Sequence, residues 1–224
     1  KELYSYFCKG NINITSARTA ELSKLTENAF RDVNIAFSNE ISIICDELSI
    51  DSNELIDLVN CHPRVNLLNP GCGVGGHCIA IDPWFLISSS PENSHLIKTA
   101  RKVNNYKTQW VIEKIKKESK IFKNNLKREI RIACLGATFK ANVEDLRESP
   151  ALKIIKDLIK SKLEIVVCEP NLNRIEELSM SDLHSIVNKA DLIVILVGHD
   201  EFKKIDFSNF RVLDFTGITK KING

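Results

Sequence analysis

No stretch of this 224-residue chain stays apolar over the roughly 20 residues that a membrane-spanning helix needs. Lys1 to Gly10 also lacks an apolar segment followed by a small-residue cleavage site, so neither a membrane span nor a secretory leader is read. There is no excess of one charge: 31 Lys and Arg against 29 Asp and Glu leave +2, which excludes the global signature of a nucleic-acid binder or a polybasic membrane binder. A charged ligand must then be held by a local cluster. The seven cysteines (Cys8, Cys45, Cys61, Cys72, Cys78, Cys134, Cys168) are odd in number and have no framework spacing, which points to a reduced, cytoplasmic protein. No paired C-x-x-C is present, so no metal site is assigned, and zinc on Cys72, His77 and Cys78 has little support. Internal repeats and low-complexity segments are missing too. What remains is a chain with 43% hydrophobic and 27% charged residues, enough for a packed core in one large domain or two small ones. It begins with Lys rather than Met and reads as a piece of a longer protein.

The first half reads as helical. Leu22, Leu25, Ala29, Val33, Phe37, Ile44 and Leu48 recur at spacings of three, four or their sums, with neither Gly nor Pro between Ala17 and Leu48, which predicts one long helix. Asp51 with Glu54 predicts a capped short helix to about Asn60, broken at His62-Pro63. Residues 61–83 have loop composition, and no helix of useful length is expected directly after their glycines. Ser90-Pro91 predicts an N-cap and first helical residue, opening a helix to about Glu118. After Arg128 the pattern changes to short β-branched runs: Ile130 to Leu135, Leu163 to Cys168, Asp191 to Val197 and Arg211 to Phe215. Helices expected from Ser149-Pro150 and near Asp182 alternate with them, which predicts a parallel, Rossmann-like α/β domain. Ligands of such sheets sit beyond the carboxyl ends of the strands, here the loops Gly136 to Glu148, Glu169 to Asn173 and Gly198 to Phe202.

Gly71-Cys72-Gly73-Val74-Gly75-Gly76 satisfies G-x-G-x-x-G, but Pro70 precedes it and His77 to Phe85 follows with β-branched residues, so the strand-turn-helix context of a dinucleotide fingerprint is lacking. The glycines instead leave room for a substrate beside Cys78, whose thiol is either a covalent nucleophile or a buried, inert side chain. On the long helix Lys24, Asn28 and Arg31 stand at i, i+4 and i+7 and share one stripe. That stripe is either a solvated face or, if turned to the Cys78 loop, a site for an oxygen-rich ligand such as a sugar phosphate.

Three segments together resemble the nucleotide-sugar 6-dehydrogenases, which oxidise a UDP-sugar to a UDP-uronic acid with two NAD. Ala20 to Arg31 is similar to that family's active-site helix, Gly71 to Asp82 to its cysteine loop, and Phe139-Lys140 through Arg147-Glu148-Ser149 to its third motif. His62-Pro63-Arg64-Val65-Asn66 and Asp82-Pro83-Trp84-Phe85 look most like the branch acting on UDP-N-acetyl-D-mannosamine. The resemblance implies a remnant of an NAD domain over 1–15, an all-helical dimerisation domain over 16–122 and a UDP-binding Rossmann-like α/β domain over 123–224. It implies that Cys78 forms a thiohemiacetal and then a thioester, that Lys24 stabilises the developing oxyanions or serves as a general base, that Asn28 holds the same oxygens and that Asp82 assists the hydrolytic water. Arg31, His62, Arg64, Gly75, Phe139 and Lys140 would contact the UDP-sugar, and Arg147 would reach the NAD cofactor. A homodimer through the central helices is implied, with no nucleic-acid or membrane partner, and the uronic acid would serve as a surface-polysaccharide precursor.

Relatives in this family usually start with a complete NAD-binding domain, which this chain does not contain. They also tend to carry a basic residue where Thr216 stands in Asp214-Phe215-Thr216-Gly217, and Pro where Cys72 stands. The alternatives are a UDP-N-acetylglucosamine or UDP-glucose 6-dehydrogenase, or a catalytically silent module that binds UDP-sugar and dimerises.

Overall fold

The computed structural model describes residues 1–219. A single exposed turn, α1 (Glu2–Ser5), precedes the first long element. Ser16 accepts the Thr19 N–H at 3.1 Å and so fixes the start of α2 (Ala17–Leu48). That helix has 32 residues and ends at Ser49, which takes the left-handed conformation and donates its N–H to Asp46 and Cys45 carbonyls. Asp51 accepts the amides of Asn53 and Glu54, as the acid pair predicted, and opens α3 (Ser52–Val59).

The next two helices differ from expectation. An eight-residue helix, α4 (Asp82–Ser89), does open after the glycine loop, with Pro83 in its first turn and Ile87 buried. Burying Ile87 carries α4 up to Ser90, so Ser90 closes that helix instead of capping the next. Pro91 falls in the turn between them, and α5 (His95–Leu126) starts four residues later after Ser94. It also runs past Glu118 to Leu126. Ala100, Arg101 and Asn104 of α5 are buried with α2, while Val111, Ile112 and Ile115 pack into the core of the sheet domain. One helix thus serves both halves of the chain.

The second half folds as predicted. β1 (Arg131–Leu135), α6 (Pro150–Lys160), β2 (Glu164–Cys168), α7 (Leu183–Lys189), β3 (Leu192–Ile195) and β4 (Val212–Asp214) follow in order. The strands form a parallel sheet in the order β2-β1-β3-β4, with Leu135 level with Cys168 and Ile195. Period-two alternation sends Ile132, Cys134, Val167 and Val194 to the face covered by α5 and α6, and Ala133, Leu135, Ile193 and Ile195 to the face covered by α7 and Phe202. Ser149 and Asp182 cap α6 and α7, where the sequence places those helix starts. The third strand is shorter than its apolar run, because the Leu196 and Val197 amides both turn back to the Leu135 carbonyl. Among the described residues no helix is long and apolar enough to cross a membrane.

Candidate active site

The carboxyl ends of β1, β3 and β4 open on one cavity of about 580 Å³. Residues 138–141, 196–198 and 216–218 supply its sheet side, and 69–73 of the glycine loop close it from the helical half. Two charged side chains line it, Lys140 and Lys203, and no carboxylate is among the lining residues. Two cations without a carboxylate make the lining complementary in charge to an anion.

The glycine loop has no regular structure, so its backbone groups need partners from elsewhere. Asn39 of α2 accepts the Gly71 N–H at 2.9 Å, and Thr108 of α5 donates to the Cys72 carbonyl at 2.8 Å. The Cys72 thiol is buried, donates to the Leu196 carbonyl at 3.4 Å and is pushed up to about 12 by that burial, so it is held inert. The Gly76 N–H binds the Arg147 carbonyl at 3.1 Å. A Cβ at Gly75 would lie 2.4 Å from the Glu148 carbonyl and 3.0 Å from the Phe139 Cβ, so only glycine lets the two motifs touch. No strand leads into Gly71, and Cys78 to Ile81 separate the glycines from α4, which leaves the dinucleotide fingerprint without its structural context.

The α2 stripe is split. Asn28 is buried and donates to Asp82 Oδ2 at 2.5 Å, which ties the long helix to the start of α4. Lys24 is exposed; a hydrogen bond and charge attraction from Glu27 raise its pKa, with Cys78 and Asp82 adding smaller contributions in the same direction. Cys78 is exposed, and its carbonyl accepts the Ile81 and Asp82 amides that begin α4. Arg147 makes a bidentate pair with Asp145, whose carboxyl falls to about 2 through that hydrogen bonding, and its carbonyl accepts the Gly76 N–H two residues before Cys78. Cys78, Lys24, Asn28, Asp82 and Arg147 therefore form one polar neighbourhood, next to the loop segment that closes the cavity. Phe139 and Lys140 line the cavity itself. Arg31, His62 and Arg64 are exposed and do not line it; His62 Nδ1 accepts the Arg64 N–H at 3.2 Å.

Residues matter here that the sequence did not single out. Asn39 stands three helical turns after Asn28, so the signal was present in the spacing. Lys203 lies one residue past the Gly198 to Phe202 loop. Nothing local marks Thr108, which reaches the loop carbonyl of Cys72 from α5.

Comparison with known proteins matches residues 18–106 to the UDP-glucose/GDP-mannose dehydrogenase family, central domain, and residues 133–220 to the same family's UDP binding domain. The chain belongs to this dehydrogenase family. It is 45% identical over 226 residues to the NDP-N-acetyl-D-galactosaminuronic acid dehydrogenase of Ralstonia solanacearum, covering 97% of this chain and 52% of that protein. It is 47% identical over 221 residues to the UDP-N-acetyl-D-mannosamine dehydrogenase of Campylobacter jejuni, covering 95% of this chain and 53% of the relative. The UDP-D-ManNAc dehydrogenase structure from Pyrococcus horikoshii superposes with a TM-score of 0.85 at 35% identity, over 98% of this chain and 53% of that one. The chain thus spans about half the length of the curated relatives it matches.

In the family's terms the cavity lies between the two matched domains, with 69–73 from the central one and the strand-end loops from the UDP binding one. Thr216, where a basic residue was expected, takes part in a turn built on Asp214. That carboxylate accepts the Thr216, Gly217 and Thr219 amides and both threonine hydroxyls, leaving Thr216 as a neutral part of the wall.

Proposed function

We propose that this chain is the substrate-binding part of an NAD-dependent dehydrogenase that oxidises UDP-N-acetyl-D-mannosamine to its uronic acid, a precursor for surface polysaccharide. The observation that carries the proposal is the cavity: a nucleotide-sized space lined by two lysines and no carboxylate, closed by the loop that bears Cys78. A nucleoside diphosphate fits that charge. The N-acetylhexosamine is supported by the activities for which the Campylobacter and Pyrococcus relatives are named, while the Ralstonia relative is named for a different stereoisomer. The competing reading, a silent module that binds UDP-sugar and dimerises, shares the cavity but predicts no turnover in any form of the protein.

The described residues form no dinucleotide site of their own; Arg147 beside Cys78 is what they offer a cofactor. NAD would supply the hydride acceptor for both oxidations. The chain's own residues then act on the C6 carbon. The first oxidation would leave a C6 aldehyde, to which Cys78 Sγ would add as thiolate, forming a C–S bond while the carbonyl electron pair moves to oxygen. Lys24 and the Asn28 amide would hold that oxygen, at the place where Asn28 already meets Asp82. Loss of the second hydride leaves a thioester, and Asp82 would take a proton from the water that hydrolyses it, releasing the Cys78 thiolate.

Calorimetric titration tests the binding step. The chain is expected to bind UDP, and Lys140→Ala to weaken binding by about tenfold, the scale of one lost charge-assisted contact. Absence of UDP binding would overturn the proposal. Assembly gives a second check. Leu22, Phe30, Phe37, Ile44 and Leu48 form an exposed apolar row along α2, each at least 43% exposed. We assign this row to pairing with a second copy of the chain, so light scattering is expected to give twice the 25.3 kDa chain mass at micromolar concentration.

A further inference from the structure

Beyond β1 the chain turns at Gly136, where φ is +90° and an added Cβ would lie 2.4 Å from the Val197 Cβ, and then runs through 137–142 without regular structure. Phe139 and Lys140 sit in that segment, so its course decides where the Lys140 ammonium meets a ligand. Two side chains from other strand ends hold it. Glu169, just past β2, accepts the Ala137 and Thr138 amides on Oε2 at 2.8 and 3.2 Å. His199, past β3, accepts the Asn142 amide on Nδ1 at 3.0 Å. Thr138 Oγ1 donates to the Lys140 carbonyl at 3.0 Å and lies 3.4 Å from Glu169 Oε2. A backbone N–H only donates, so Nδ1 carries no proton; Nε2 carries it and donates to Glu169 Oε2 at 3.1 Å.

Both side chains are fully buried. Burial pushes the Glu169 carboxyl up, but the hydrogen bonds from His199, Ala137 and Asn171 outweigh it and hold the group down at about 2, ionised in the core. A buried carboxylate is costly, and an apolar pair of similar volume would fill the same space without that cost. What an apolar pair would not do is fix the amides of 137, 138 and 142 at set positions.

We infer that Glu169 and His199 are positioning residues of the nucleotide site, which set the Phe139–Lys140 segment against the cavity from the two neighbouring strands. The inference rests on the proposed UDP site. They do not touch the ligand; they act through Lys140. The pair extends the site one layer below its walls, and Thr138 is the link between the layers.

The test is a double-mutant cycle on the full chain, read as UDP affinity by calorimetry alongside the thermal midpoint of the ligand-free protein. His199→Asn keeps an amide oxygen near the Nδ1 position, while His199→Gln keeps a donor near Nε2 and loses the acceptor for Asn142. His199→Gln is expected to weaken UDP by about tenfold and His199→Asn by less than about threefold. In a Lys140→Ala background the His199→Gln effect should shrink to less than about threefold, because the residue it positions is gone. Equal factors in both backgrounds, or affinity losses that simply follow the thermal midpoints of the two His199 variants, would overturn the inference. Should His199→Gln not fold, Thr138→Val removes the bond to the Lys140 carbonyl together with the 3.4 Å contacts to Glu169 and His199, and the same non-additivity with Lys140→Ala is expected. If wild type binds UDP and Lys140→Ala weakens it but the cycle is additive, this inference alone falls. Failure of wild type to bind UDP removes the site on which it stands.

Discussion

Cys78→Ser, in an enzyme that also carries the NAD-binding half, is expected to lower uronic acid formation by about 10³-fold or more, the scale seen when a covalent nucleophile is removed. The serine hydroxyl is far less acidic than a thiol, so almost none of it is present as the nucleophilic alkoxide near neutral pH. An alkoxide is also a poorer leaving group than a thiolate at the acyl stage. Turnover should stop at or before the aldehyde, giving at most one NADH per UDP-sugar instead of two, which stopped assays with product chromatography will resolve. The other cysteines offer no substitute. Cys134 and Cys168 lie in strands with thiols pushed up to about 12 by burial, Cys72 is likewise held at about 12, and burial raises Cys45 on α2. Cys8 and Cys61 are exposed but lie outside the segment between the glycines and the Asn28–Asp82 contact, where Cys78 stands.

The second large effect concerns the seam between α2 and α5. Arg101 Nη1 donates to Asp32 Oδ1 at 2.6 Å, with both side chains almost wholly buried. Asn104 donates to the same oxygen and to the Asp32 carbonyl, and accepts from Asn39, which in turn holds Gly71. The seam is thus continuous with the cysteine loop. Asp32→Ala leaves a guanidinium in the core with no counter-charge and is expected to cost about 3–5 kcal/mol. For a chain of this size that lowers the thermal midpoint by about 6–20 °C. Arg101→Met added to Asp32→Ala should recover part of the loss, because the buried charge is then gone. Lys153→Ala, which breaks an exposed pair with Asp157, is expected to change stability by less than about 0.5 kcal/mol and serves as the control. Urea unfolding of the set measures all three.

What the sequence made legible follows from where local signals decide the structure. α2 has one apolar period and clean caps at Ser16 and Ser49, and the strands have β-branched runs that both faces of a sheet can bury, so each was readable from its own residues. Ser90-Pro91 was ambiguous locally. The pair reads as a helix start, but the burial of Ile87 made it a helix end, and that is a tertiary fact. The far end of α5 was hidden for the same reason, since its polar, lysine-rich surface gives no stop until Lys127 turns left-handed. The glycine loop and the Lys24 stripe were visible as motifs, yet their juxtaposition depended on Asn28 meeting Asp82 across 54 residues. Glu169 and His199 lie in strand-end loops that the sequence marked, but they carry no motif, and their pairing was invisible until the sheet brought those ends together.

The most direct test of the account asks whether the cavity and Cys78 belong to one site, and it needs this chain alone. Alkylation by iodoacetamide, mapped by peptide mass spectrometry, should label the exposed Cys8, Cys61 and Cys78 in the free protein. With saturating UDP-N-acetyl-D-mannosamine, labelling of Cys78 is expected to slow by about tenfold or more as the sugar occupies the space before its thiol, while Cys8 and Cys61 react at unchanged rates. Cys78 labelling that proceeds equally fast with the ligand bound would separate the thiol from the cavity and contradict the account.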